Sequence, residues 1–247
     1  MVKPALILRD LQYNFRIWGP ISPEPLVTVK PLIIFDWDDT LQPTSWMVKR
    51  NMWPDREYEL SDVSEDMFKR LAKTIHSVLT YAQELGEVVI ITNSDKGWVR
   101  ECTQRFMPSL LPLIDSMGVY SARHLYEERY KESPHMWKLK AFEKEVNTRF
   151  GDYELRNVVS IGDGLHERMA LMALKSLSTL TKNVKFLALP EPDMVIKQLE
   201  FIRHFIDDIV SYGSNLDLMI GVAQTENPVS PVESPRNVED TQIPEKV

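Results

Sequence analysis

Cysteine is nearly absent: Cys102 is the single one in 247 residues. That excludes a disulfide framework or a cysteine-rich zinc site within one chain. Cys102 falls in a predicted helix, where a small buried side chain is its expected role. No apolar run approaches the roughly 20 residues that span a bilayer. The N-terminal stretch lacks the apolar core of a secretory signal. The expected setting is therefore reducing and intracellular, the cytoplasm first, with no membrane. No long basic run is present and the net charge is -7, so a nucleic-acid backbone is not favoured as a partner. No internal repeat is found. What is there is ordinary material, 43% hydrophobic and 26% charged, enough for a sizeable core in one large α/β domain or two small ones.

Residues 1–30 carry several prolines, as in Trp18-Gly19-Pro20-Ile21-Ser22-Pro23. They read as an extended lead-in with a short edge strand around Ala5 to Leu8. Short apolar runs then alternate with helical periodicity. Leu32 to Asp36, Val88 to Ile91, Met117 to Tyr120, Val158 to Ile161 and Val184 to Ala188 read as strands. Between them, helices are expected from about Met67 to Leu85, Lys96 to Phe106, Trp137 to Phe150 and Glu167 to Leu180, with a last one from Met194 to Tyr212. Residues 42–61 read as irregular. The alternation predicts a three-layer, doubly wound, Rossmann-like parallel sheet over residues 31–213. Residues 224–247 are rich in Pro, Glu and Ser and are expected to be disordered.

The polar residues at the strand ends carry the functional signal. Phe35-Asp36-Trp37-Asp38-Asp39-Thr40-Leu41 delivers three carboxylates and a hydroxyl directly after a buried strand. Thr92-Asn93-Ser94 ends the second strand, and Gly162-Asp163-Gly164, with Glu167 beyond it, ends the fourth. In a parallel sheet these ends share one edge, where ligand sites form. Clustered carboxylates need a proton, a basic group or a metal to balance them. Oxygen donors of this kind suit Mg²⁺, which often bridges to phosphate. Asp-Asp-Thr also makes an ordinary polar turn, with Asp39 capping the next segment of chain. Trp46, Trp53 and Trp98 read equally as entrance lining or partly buried core.

These residues resemble the haloacid dehalogenase-like (HAD) hydrolase superfamily. Asp36-Trp37-Asp38-Asp39-Thr40 is similar to its first motif, Ile91-Thr92-Asn93-Ser94 to its second, and Gly162-Asp163-Gly164-Leu165-His166-Glu167 to its acidic fourth, with Glu where Asp is commoner. The match covers roughly residues 31–190. Ile161 to Ala170, with Trp137-Lys138, also resembles a plant and protist subgroup, which implies no particular substrate. The family's remaining element is a lysine, here Lys138 or Lys140. At about 100° per residue, Trp137, Ala141, Phe142 and Val146 define an inward arc with Lys138 near its centre and Lys140 opposite. Lys138 is chosen, although its stem could instead snorkel along the core edge. Glu145 falls in the same arc without an account.

The resemblance implies a phosphatase working through an aspartyl-phosphate. Asp36 is the implied nucleophile and Asp38 the implied acid/base. Thr92 and Lys138 are implied to bind phosphoryl oxygens. Asp36, the Asp38 carbonyl and Asp163 are implied to hold Mg²⁺. Thr40, Asn93 and Glu167 are expected behind them; Glu167 reads equally as favouring the start of its own helix. His166 reads as an exposed loop residue. No gap in the sequence holds a large inserted domain, so the cap is expected to be small or absent. The site then suits a phosphorylated substrate, a small molecule or a bulky phosphoprotein. Phosphotransfer to another acceptor, and a catalytically silent binding or scaffold role, are the alternatives.

Overall fold

Leu32-Ile33-Ile34-Phe35 is buried on both faces, as an interior strand of a parallel sheet must be. The computed structural model of the chain describes residues 5–7, 16–17, 29–56, 59–151, 155–176 and 178–221. A short antiparallel ribbon comes first, β1 (Ala5–Ile7) with β2 (Arg16–Ile17). The main sheet comprises β3 (Leu32–Phe35), β4 (Glu87–Thr92), β5 (Gly118–Ser121), β6 (Arg156–Gly162), β7 (Thr179–Lys185) and β8 (Leu216–Met219). Its strands are all parallel, in the order β5-β4-β3-β6-β7-β8. The winding reverses between β3 and β6, which opens a crevice at their C-terminal ends.

Among the described residues, eight α-helices cover this sheet: α1 (Thr44–Lys49), α2 (Asp62–Leu85), α3 (Trp98–Phe106), α4 (Leu111–Asp115), α5 (Ala122–Tyr126), α6 (Pro134–Phe150), α7 (Leu165–Ala173) and α8 (Pro192–Ser211). Alternate side chains of each strand go to opposite faces. Ile33, Phe35, Val88 and Ile90 pack with α2, α3 and α8; Leu32, Ile34, Val89 and Ile91 pack with α5, α6 and α7. The result is the three-layer, doubly wound α/β fold expected from the sequence. The long α2 starts where the Ser61 hydroxyl accepts from the Ser64 N–H at 3.3 Å. It buries Leu71, Ile75, Val78 and Ala82 as one stripe. It stops at Gly86, where a Cβ would fall 2.5 Å from the Pro31 carbonyl oxygen. α2 joins β3 to β4 and α8 joins β7 to β8, both on one face, yet the two steps run in opposite directions along the sheet. The two crossovers therefore differ in hand, and one departs from the usual right-handed rule.

Several boundaries differ from expectation. α7 ends at Ala173, not near Leu180, and β7 starts at Thr179 instead of Val184. β7 buries Thr181, Lys182 and Asn183, so the apolar signature of a strand is missing over most of its length. β8 was not anticipated; it extends the sheet past residue 213 to Met219. Part of the stretch read as irregular, 42–61, is the short helix α1. Residues 224–247, expected to be disordered, lie outside the described residues, as does most of the lead-in. Among the described residues no helix is long and apolar enough to cross a membrane.

Candidate active site

The Asp36 N–H donates to the Ile161 carbonyl at 2.9 Å. The β3–β6 pairing thus runs one residue beyond β3 and sets Asp36 beside Gly162. The chain then turns sharply: the N–H groups of Thr40, Leu41 and Gln42 converge on the Trp37 carbonyl at 3.3, 2.9 and 3.0 Å. Asp39 takes φ 54° in this turn, a left-handed conformation that Asp tolerates better than most residues. Its carboxylate holds the N–H and hydroxyl of Ser45 at the start of α1, the capping role open to it in the sequence. The fully buried Thr40 links two strand ends. Its hydroxyl lies 3.4 Å from Asp36 Oδ2 and accepts the Asp163 N–H at 3.0 Å.

Lys138 rises from α6 into this edge and is fully buried. Its Nζ lies 2.5 Å from Asp36 Oδ1, 2.6 Å from the Ile91 carbonyl and 2.8 Å from Glu167 Oε1. All three ammonium hydrogens have an acceptor. Lys140 instead pairs with Glu143 at 2.7 Å on the outer side of α6. Glu145, unexplained in the sequence, forms an ion pair with Arg149, which also reaches Glu87 at 2.6 Å; it ties α6 to β4.

Charge balance follows from this burial. Desolvation pushes the Asp36 carboxyl well above its usual range; Lys138 opposes the rise, while Glu167 and Asp38 add to it. Desolvation acts on Glu167 in the same sense, but Lys138 overrides it and holds that carboxyl below its usual range. Burial alone would loosen the Lys138 proton; Asp36 and Glu167 reverse this and tighten it. Asp163 is pushed up to about 7 by burial, then by Glu167 and Asp39. Glycine makes the crowding possible. A Cβ on Gly162 would lie 2.7 Å from Glu167 Cγ and 3.3 Å from Asp36 Cβ.

Asp38 is held from two sides. Its Oδ2 accepts from the Thr92 and Ser94 hydroxyls at 2.8 and 2.7 Å. Its Oδ1 accepts from the Thr44 hydroxyl at 2.8 Å and the Trp98 indole N–H at 2.9 Å. Thr44 goes unmarked in the sequence; Ser94 enters only as part of the second motif, and Trp98 only as entrance lining or core. Ser94 and Trp98 follow the second strand end closely and Thr44 follows the first, and that nearness to two strand ends was the available signal. Asn93 turns toward α6, donating to the Pro134 carbonyl at 3.2 Å. His166 is exposed.

Among the described residues no three His, Cys, Asp or Glu side chains form a metal-holding group. The candidate set is smaller: the Asp36 and Asp163 carboxylates with the Asp38 carbonyl. It offers a hard cation oxygen donors alone, and beside it Glu167 Oε2 is buried without a hydrogen-bond partner. Comparison with family models, with curated proteins and with solved structures finds no match.

Proposed function

We propose that the chain is a Mg²⁺-dependent phosphomonoester hydrolase of the haloacid dehalogenase-like type, acting through an aspartyl-phosphate on Asp36. The observation that carries this reading is the buried Lys138 ammonium between Asp36 and Glu167 at the C-terminal edge of the sheet. A fixed cation beside a nucleophilic carboxylate is what phosphoryl transfer requires, since its catalysis is mostly positioning and charge neutralisation.

In the first step an Asp36 carboxylate oxygen bonds to phosphorus as the bond to the leaving oxygen breaks, and Asp38 protonates that oxygen. In the second, Asp38 takes a proton from water, the water oxygen bonds to phosphorus, and the Asp36–phosphorus bond breaks to release inorganic phosphate. Lys138 balances Asp36 before substrate arrives and turns to a phosphoryl oxygen afterwards. Thr92 lies on the same side, 2.8 Å from Asp38, and offers its hydroxyl to the phosphoryl group. Mg²⁺ bound by Asp36, the Asp38 carbonyl and Asp163 would supply positive charge to the phosphoryl oxygens. Among the described residues the chain between β3 and α2 adds α1 and turns but no inserted domain, which suits a bulky phosphorylated partner as well as a small one.

The test is a phosphatase screen with Mg²⁺, wild type and Asp36→Asn side by side. Asp36→Asn is expected to lose at least about a thousandfold in kcat/KM while its circular dichroism is unchanged. A wild-type protein inert across a broad panel of phosphate esters overturns the reading. Phosphate delivered to an acceptor other than water would favour the transferase alternative.

A further inference from the structure

Four donors surround the Asp38 carboxylate, and they are not equivalent. The Thr92, Ser94 and Thr44 hydroxyls can rotate and accept a proton as readily as they donate one. The Trp98 indole N–H, 2.9 Å from Oδ1, can only donate. In a protonated carboxyl the oxygen without the proton is the better acceptor. A donor-only partner on Oδ1 therefore directs the proton to Oδ2. That oxygen faces Thr92 and Ser94 at 2.8 and 2.7 Å, the side on which the phosphoryl group is bound in the proposed function.

The indole is itself braced. Trp53 meets Trp98 edge-on, ring centroids 6.1 Å apart at 60°. The Trp53 N–H is fixed by Asn51 Oδ1 at 3.2 Å, and Arg56 reaches the same oxygen at 2.5 Å. The short segment after β3 thus clamps a side chain at the start of α3, and that side chain holds the carboxylate. Thr44, in the same segment, supplies the second contact to Oδ1 at 2.8 Å.

We propose that Trp98 is a positioning residue, which orients Asp38 so that Oδ2 carries the proton given to the leaving group. This rests on the phosphatase reading. It predicts that loss of the indole N–H harms substrates in proportion to their need for that proton. A p-nitrophenolate departs readily without one; an unsubstituted phenolate does not.

The experiment measures kcat/KM for wild type and Trp98→Phe over substituted phenyl phosphates with Mg²⁺. Leaving-group basicity then varies at nearly constant shape. Trp98→Phe is expected to lose at least about tenfold more on phenyl phosphate than on p-nitrophenyl phosphate. Equal losses across the series, with wild type active, overturn the assignment of Trp98 and leave the phosphatase reading standing. A wild-type protein that turns over no member of the series overturns both. Should Trp98→Phe not fold by circular dichroism, Trp53→Leu removes the ring that braces the indole instead. It is expected to show the same dependence on leaving group, and equal losses there overturn the inference in the same way.

Discussion

Among the described residues two lysines are fully buried, and they behave in opposite ways. Lys138 lies among Asp36, Glu167 and the Ile91 carbonyl, and its proton is held more tightly than usual. Lys182, on β7, is equally hidden, but its Nζ has one acceptor, the Val210 carbonyl at 2.5 Å. Burial alone acts on it and lowers it to about 8. Val210 is in the last turn of α8, where carbonyls lack helical partners and the helix end is negative. Asn157 donates to the same carbonyl at 3.0 Å. Lys182 ends a helix; Lys138 balances two carboxylates. Depth inside the core thus says little about function, whereas the charge of the neighbours says a great deal.

The contrast can be broken most readily at Lys138. Lys138→Met leaves Asp36 and Glu167 buried and facing each other without a cation. It is expected to cost about 3–5 kcal/mol in urea unfolding at pH 7 and to abolish hydrolysis. A variant as stable as wild type would show that Lys138 does not balance the two carboxylates. Lys182→Met should act in the other direction. The folded amine holds its proton less tightly than the unfolded one, so the chain releases a proton on folding between about pH 8 and 10.5. Wild-type stability therefore rises with pH through that window. Below pH 8 both states are charged and the burial cost is fully present. Set against one lost hydrogen bond, Lys182→Met is expected to stabilise by about 2 kcal/mol at pH 7, with the gain fading toward pH 10.5. Unfolding curves at pH 7 and pH 10 check both its sign and its slope. The smallest effect sets the scale. Ser61→Ala removes an exposed cap on α2 and is expected to cost about 1 kcal/mol, so both lysine effects should exceed it in thermal unfolding of matched samples.

The same contrast explains what was legible in the sequence. β3, β4 and β6 announce themselves as apolar runs, and their ends supply Asp36, Thr92 and Asp163. Helical geometry separates Lys138 from Lys140, because one falls on the packed arc and the other does not. β7 hides because Thr181, Lys182 and Asn183 are polar and buried together. Their partners, Asn215, Val210 and Asp217, lie about thirty residues away. Reading them from sequence would require knowing the fold first. The Trp98 contact to Asp38 is hidden for the same reason: the two residues are 60 positions apart. Glu145 is anomalous on its arc only until Arg149, one turn on, is counted as its neutralising neighbour.

The Lys138 ammonium matters beyond its charge. It has three hydrogens, and a carboxylate, a backbone oxygen and a second carboxylate already take them. An anion arriving at this nitrogen finds no vacant position and must displace one of the three. Capture and local rearrangement are then a single thermodynamic event, so whatever loosens Glu167 also changes how readily an anion binds there.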